Sequence, residues 1–263
     1  MNNTFIDSHA HLDLPEFDAD RTEVIARAAA AGVTRIITVG IDITSSRQAI
    51  ALAEQHNGIY ATAGVHPGSA ASARPEDIDT LTQLAGHPRV VAIGETGLDY
   101  YRMRSPKETQ VKWLMHQLEL SHNTGLPVSL HSRLAEPDLG DIVSRWATSH
   151  PVEGKLRGVV HCFGGDAATA ARYSDIGFCI SFAAYIGYPS ARSMADVVRS
   201  VPDDRLLIET DCPFLPPPGR RGQRNEPSYI VQTAEVLAEF RGVPVEEIAR
   251  QTRQNAERLF GLG

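Results

Sequence analysis

The chain is poor in cysteine, with three in 263 residues, an odd number that gives no basis for a disulfide framework. Cys162, Cys179 and Cys212 therefore read as reduced thiols, as expected of a cytoplasmic protein. Long apolar runs are missing. No stretch approaches the ~20 residues of a membrane span, and the opening MNNTFIDSHAH has neither the basic nor the apolar segment of a secretory leader. There is no low-complexity tract and no block of like charge. An excess of positive charge is also lacking: 25 Lys and Arg against 32 Asp and Glu give a net charge of -7. That balance argues against broad electrostatic capture of duplex DNA or an anionic membrane. It leaves room for a nucleic-acid substrate held by a local basic rim. Nothing in the sequence calls for an obligate protein partner, and a monomer is expected.

What the chain does have is a recurring unit, a short apolar run followed by an amphipathic stretch. Eight runs, at 4–8, 34–39, 58–63, 89–93, 127–130, 157–160, 177–181 and 205–209, are often β-branched and bounded by Gly, Pro, Asp or Asn. This is how buried parallel strands read. Helical patterns cover 20–31, 44–56, 75–85, 106–124, 138–149, 166–175, 190–200 and 227–241, with a closing pair at 244–250 and 251–260. Asp20 stands at a cap-like position, Pro106 at a first turn, and Gly32 and Gly125 at helix ends. Strands alternating with helices predict a parallel sheet in an α/β fold. An open doubly wound sheet usually carries a Gly-rich loop after its first strand, and His-Ala-His stands there instead. The expectation is a TIM-like (β/α)8 barrel, with room for distortion, formed by 1–263 as one domain.

In such barrels the chemistry sits where strands end. The strand-end positions here are His9 and His11, Gly40, His66, Glu95, His131, His161, Ser181 and Asp211, spaced by about one strand-plus-helix unit. Five of the ten histidines fall there, together with two carboxylates. His9 and His11, at i and i+2 on a strand, project to one side as two ligands of one cation must. His131 or His161 alone could be a satisfied core side chain, but as a set with His9 and His11 they supply imidazole nitrogens suited to Zn, Mn or Fe. Glu95, between Gly94 and Gly97, is poorly explained by packing, and its two oxygens could bridge two cations. Asp211 follows an apolar strand and is costly to bury unless coordinated. A metal-bound Asp can also accept a proton from water. Glu209 shares its neighbourhood, in support of the ligands or as a structural carboxylate. His66 is a candidate substrate contact or a turn histidine. Arg133 and the arginines of the 219–227 loop suit an anionic substrate or solvent.

The stretches IDSHAHLD (6–13), GVHP (64–67), AIGETGLDYY (92–101), PVSLHSR (127–133), HCFGG (161–165), ETDCPFL (209–215) and the RG-x-RNEP segment at 221–227 resemble the TatD family of metal-dependent deoxyribonucleases, within the metal-dependent hydrolase superfamily. The resemblance implies a TIM-like barrel, phosphodiester hydrolysis at DNA ends or single strands, and the ligand set His9, His11, Glu95, His131, His161 and Asp211. The expectation is two divalent ions (Zn2+, Mg2+ or Mn2+), with Glu95 and Asp211 as catalytic groups and His66, Arg133, Arg224 and Asn225 as substrate contacts. Leu134 replaces a common acidic residue and Gln223 a common Lys, both near substrate rather than metal. A small-molecule amidohydrolase or lactonase could use the same ions. A non-enzymatic binder with a structural metal is disfavoured by so open a carboxylate-containing set.

Overall fold

Those short β-branched runs form strands in a computed structural model, which describes residues 3–152 and 154–262. The strands are β1 (Phe5–Ala10), β2 (Val33–Val39), β3 (Ile59–Ala63), β4 (Val90–Asp99), β5 (Val128–Arg133), β6 (Gly158–Val160), β7 (Phe178–Phe182) and β8 (Leu206–Ile208). All pair in parallel, in chain order β1 to β8. The helices α1 (Arg21–Ala30), α2 (Ile43–Gln55), α3 (Asp77–Ala85), α4 (Lys107–Thr124), α5 (Glu136–Ser149), α6 (Ala167–Asp175), α7 (Met194–Ser200), α8 (Ile230–Arg241) and α9 (Val245–Phe260) surround them. The expected barrel is present, and it is nearly closed. Between β8 and β1 the regular ladder gives way to two backbone bonds, from Asp211 N to the His9 carbonyl (2.9 Å) and from His11 N to the Cys212 carbonyl (2.8 Å). The Asp7 carboxyl completes this seam by accepting from Thr210 N (3.0 Å) and Oγ1 (2.6 Å).

Strand parity divides the core. Phe5, Ile36, Val90, Val160, Ile180, Leu206 and Ile208 pack outward against helices. Their sequence neighbours Ile6, Ile37, Val91, Val159, Cys179 and Leu207 fill the barrel interior. The end of α9 seals that interior with Leu259, Phe260 and Leu262, each large side chain contributing about 2 kcal/mol by leaving water.

Three local expectations change. The 244–260 segment is one helix, not two, because its buried positions Ile248, Ala249, Thr252, Asn255, Ala256, Leu259 and Phe260 keep one unbroken helical stripe. Asp20 makes no side-chain cap to α1; its carboxylate serves Arg224 and Arg27 instead. Pro106 precedes the first turn of α4 as its cap residue, while Gly125 ends that helix at φ 72° as expected. Among the described residues no helix is long and apolar enough to cross a membrane.

Candidate metal centre

The strand ends gather the sequence-flagged side chains in one place. β4 runs further than its apolar stretch, to Asp99, and its register against β5 shifts between Ile93 and Thr96. Glycine makes this possible. At Gly97 (φ 145°) a Cβ would stand 2.0 Å from the His131 carbonyl oxygen, and at Gly94 (φ 124°) 2.6 Å from that of Ser129. Only bare backbone lets β4 approach β5 so closely, and Glu95 lies between these two positions, buried at 3% exposure.

Its two oxygens face different histidines. Oε2 lies 3.5 Å from His9 Nε2 and 3.8 Å from His11 Nε2. Oε1 lies 2.8 Å from His131 Nδ1 and 2.9 Å from His161 Nε2. On the first side the two imidazole nitrogens are 3.3 Å apart, and Asp211 Oδ1 stands 3.4 Å from His11 Nε2 and 3.8 Å from His9 Nε2. On the second, His131 Nδ1 and His161 Nε2 are 3.2 Å apart. The His9 and His161 rings stack at 3.9 Å, joining the two sides. His9, His11 and Asp211 offer donor atoms close enough to share one ion, as do His66, Glu95 and His131, and His9, His161 and Glu209.

The rear of each ring sets its role. His11 Nδ1 lies 3.3 Å from the Val39 carbonyl, which can only accept, so this nitrogen carries the proton and Nε2 is left to ligate. His131 turns Nε2 to Asp99 Oδ2 at 3.6 Å, and Asp99 is fixed by the Tyr101 and Arg102 amides. His161 turns Nδ1 to Glu209 Oε1 at 3.5 Å, and that oxygen also accepts from Cys162 N at 2.6 Å. These carboxylates lie behind the two rings, where partners that aim a metal-binding imidazole are found. Glu209 thus falls on the supporting side of the two readings given above. Asp99 was missed, although the argument used for Asp211, a carboxylate costly to bury at the end of an apolar strand, applies to it equally.

His66 is different. Its Nδ1 accepts from Gly68 N at 2.9 Å, so in the neutral ring Nε2 carries the proton and directs it toward Glu95 Oε1 at 3.5 Å. In this tautomer it faces Glu95 as a donor; with Nε2 deprotonated it would join Glu95 and His131 in the donor group described above. Burial lowers its pKa to about 4, keeping the ring neutral.

The imidazoles and carboxylates perturb one another strongly. Burial would depress the His11 and His161 rings, yet the carboxylates around them outweigh it, taking His11 to about 9 and His161 well above its ordinary range. Burial would raise Glu95 and Asp211, yet the surrounding histidines hold both below the ordinary carboxylate range. Among the described residues no Lys or Arg makes an ion pair with Glu95, Asp99, Glu209 or Asp211. Four imidazoles and two carboxylates converging on one buried place, without a basic side chain, fit a divalent metal. The backbone concentrates strain there too. Met103, Leu134, Cys162, Asp211 and Leu215, the non-glycine residues at positive φ among those described, all lie in loops leaving this end of the barrel.

The three remaining expected substrate contacts divide. Arg133 is exposed at the end of β5, its guanidinium 4.1 Å over the Tyr101 ring and without an ion-pair partner among the described residues. Arg224 is committed elsewhere: it forms a two-pronged pair with Asp20 (2.7 Å each) and donates to the Glu16 carbonyl (2.6 Å). Asn225 departs from the expectation. It is buried, and its Nδ2 donates to the carbonyls of Thr210 (2.8 Å), Phe214 (2.6 Å) and Leu215 (3.3 Å). These bonds consume its donors and make it a clamp on the loop that carries Asp211.

A TIM-like barrel bearing such a cluster defines the class of metal-dependent hydrolases. Comparison with known proteins narrows this. Residues 6–261 match the TatD-related DNase family. An uncharacterized metal-dependent hydrolase of Bacillus subtilis, YabD, is 41% identical over 97% of this chain and 98% of its own length. The protein named 3'-5' ssDNA/RNA exonuclease TatD in Erwinia amylovora is 38% identical over 97% of this chain and 99% of its own. The crystal structure of the Escherichia coli TatD homologue YjjV superposes with a TM-score of 0.93 at 35% identity, covering 100% of both chains. The chain belongs to the TatD-related DNase family of metal-dependent hydrolases.

Proposed function

We propose that this protein is a metal-dependent phosphodiesterase that trims single-stranded DNA from its ends. The observation that carries the reading is the division of Glu95, one oxygen toward His9 and His11 and the other toward His131 and His161. A carboxylate so placed suits a bridge between two ions, one held with His9, His11 and Asp211 and the other with His131 and His161. Divalent ions there would acidify a water molecule and offset charge on the phosphoryl oxygens.

The protein's own groups do the rest. Asp211, ionised and at the edge of the first group, accepts the proton of the water that attacks phosphorus, while the P–O bond to the departing sugar oxygen breaks and that oxygen takes a proton from solvent. His66 Nε2–H donates to an oxygen of the phosphate. Arg133, without an ion-pair partner among the described residues, holds a second phosphate oxygen. Asp99 and Glu209 keep His131 and His161 aimed. The exonuclease names carried by the relatives from Erwinia amylovora and Pantoea ananatis support nucleic acid as substrate.

The test is a labelled single-stranded oligonucleotide incubated with protein reloaded with Mg2+, Mn2+ or Zn2+, alongside a panel of lactones and amides. Stepwise shortening that stops with EDTA and returns with metal is expected. Turnover of a lactone or amide with intact DNA would refute the phosphodiesterase reading.

A further inference from the structure

Six large apolar side chains are exposed among the described residues, and four of them, Tyr101 (61%), Met103 (45%), Leu134 (67%) and Phe214 (47%), lie in loops at the metal end of the barrel. Apolar groups gathered at one functional face mark a binding surface. Two of them are aromatic and attach to opposite sides of the cluster. The Phe214 ring meets the His11 ring edge-on at 5.9 Å, on the side of His9, His11 and Asp211. Tyr101 follows Asp99 by two, and its amide donates to the Asp99 carboxylate that backs His131, on the other side. One face of the Tyr101 ring carries the Arg133 guanidinium at 4.1 Å.

We infer that Tyr101 and Phe214 are stacking platforms for the unpaired bases on either side of the scissile phosphate. The inference rests on the phosphodiesterase reading and deepens it, because it specifies what recognises the strand. The net charge of -7 cannot supply a general attraction for a polyanion. Of the arginines in the 219–227 loop, Arg224 is spent on Asp20, and Arg220 and Arg221 lie over the rings of Tyr229 and Tyr188. The bases, whose faces are sequence-independent stacking partners, offer a grip that does not depend on charge. Arg133 takes a phosphate oxygen while it covers one face of the Tyr101 ring, leaving the opposite face for a base. A base inside a duplex has no free face to offer, so the platforms select single strands. Exposure of Tyr101 and Phe214 costs apolar contact with water that a stacked base would remove.

The experiment measures KM for a thymidine oligomer and for an oligomer of equal length whose two terminal residues are abasic, using metal-loaded full-length protein. The wild type is expected to bind the abasic end about tenfold more weakly or worse. Tyr101→Ala and Phe214→Ala should each shrink that discrimination severalfold, and Met115→Ala, exposed on the flank of α4, should leave it intact. Equal KM for both oligomers in the wild type, or unchanged discrimination in both platform variants, overturns the inference and leaves phosphodiester hydrolysis standing. If the wild type cleaves neither oligomer nor bis(p-nitrophenyl) phosphate, the phosphodiesterase reading itself falls and the platforms with it.

Discussion

Replacing Asp211 by Asn removes a charge while sparing the structure around it. Asp211 sits at φ 54°, a conformation that Asn tolerates better than most residues. The bonds from its amide to the His9 carbonyl and from Phe214 N to its own carbonyl involve only backbone. Asn225 continues to hold the loop. The backbone should therefore keep its course, and the metal-free fold should lose what the buried pairing of Asp211 with His11 contributes, on the order of 2 kcal/mol or several degrees in Tm for a chain of this size. What disappears is the anionic oxygen 3.4 Å from His11 Nε2, and with it the proton acceptor and one ligand. Loss of a positioned base costs about 10²–10⁴ in rate, or roughly 3–5 kcal/mol of barrier. Single-turnover cleavage of an oligonucleotide at saturating metal, with thermal melts of both proteins, measures the two quantities separately. A variant that melts like the wild type and turns over within threefold of it would refute the role given to Asp211.

Gly97→Ala should collapse the site from a distance. A Cβ 2.0 Å from the His131 carbonyl oxygen forces β4 from β5, a cost on the order of 3 kcal/mol or more; circular dichroism melts should show a drop of roughly 6 °C or more, and an unchanged Tm would contradict the packing described. Asn225→Ala strips the buried carbonyls of Thr210, Phe214 and Leu215 of their shared donor, so a loss of about 2–4 kcal/mol is expected in urea unfolding, with activity falling as the Asp211 loop loosens. Metal affinity should fall with pH. The metal-free His11 ring is protonated below about 9, and a ligand must shed that proton, so apparent affinity should drop up to about tenfold per pH unit on going from 9 toward 7. Calorimetric titration at several pH values checks this, and a flat profile would remove His11 from the ligand set.

Much of this was legible in the sequence because strand ends and ligands coincide. The alternation of apolar runs and helical stripes carries the barrel, and the His-Ala-His pair, Glu95, His131, His161 and Asp211 each follow an apolar run, so position marked them as candidates, together with His66, and the family resemblance implied which of them form a ligand set. Side-chain partnership was less legible. Arg224 and Asn225 stand in a motif that looks made for substrate, but the first is drawn to Asp20 and the second to three carbonyls of its own loop, choices made by tertiary packing. The tautomer of His66 depends on a single backbone amide at Gly68, which no spacing rule reveals. The ten-residue β4 likewise outruns its apolar segment because glycines, not apolar residues, carry it past Glu95.

The convergence of the ligand set on divalent ions is the claim from which everything else follows. A crystal of the protein saturated with Mn2+ or Zn2+, with diffraction recorded on either side of the metal absorption edge, addresses it directly. Anomalous peaks are predicted beside Glu95 Oε2 within reach of His9, His11 and Asp211, and beside Oε1 within reach of His131 and His161. A saturated crystal with no peak at these six residues, or with its metal bound elsewhere, would contradict the account.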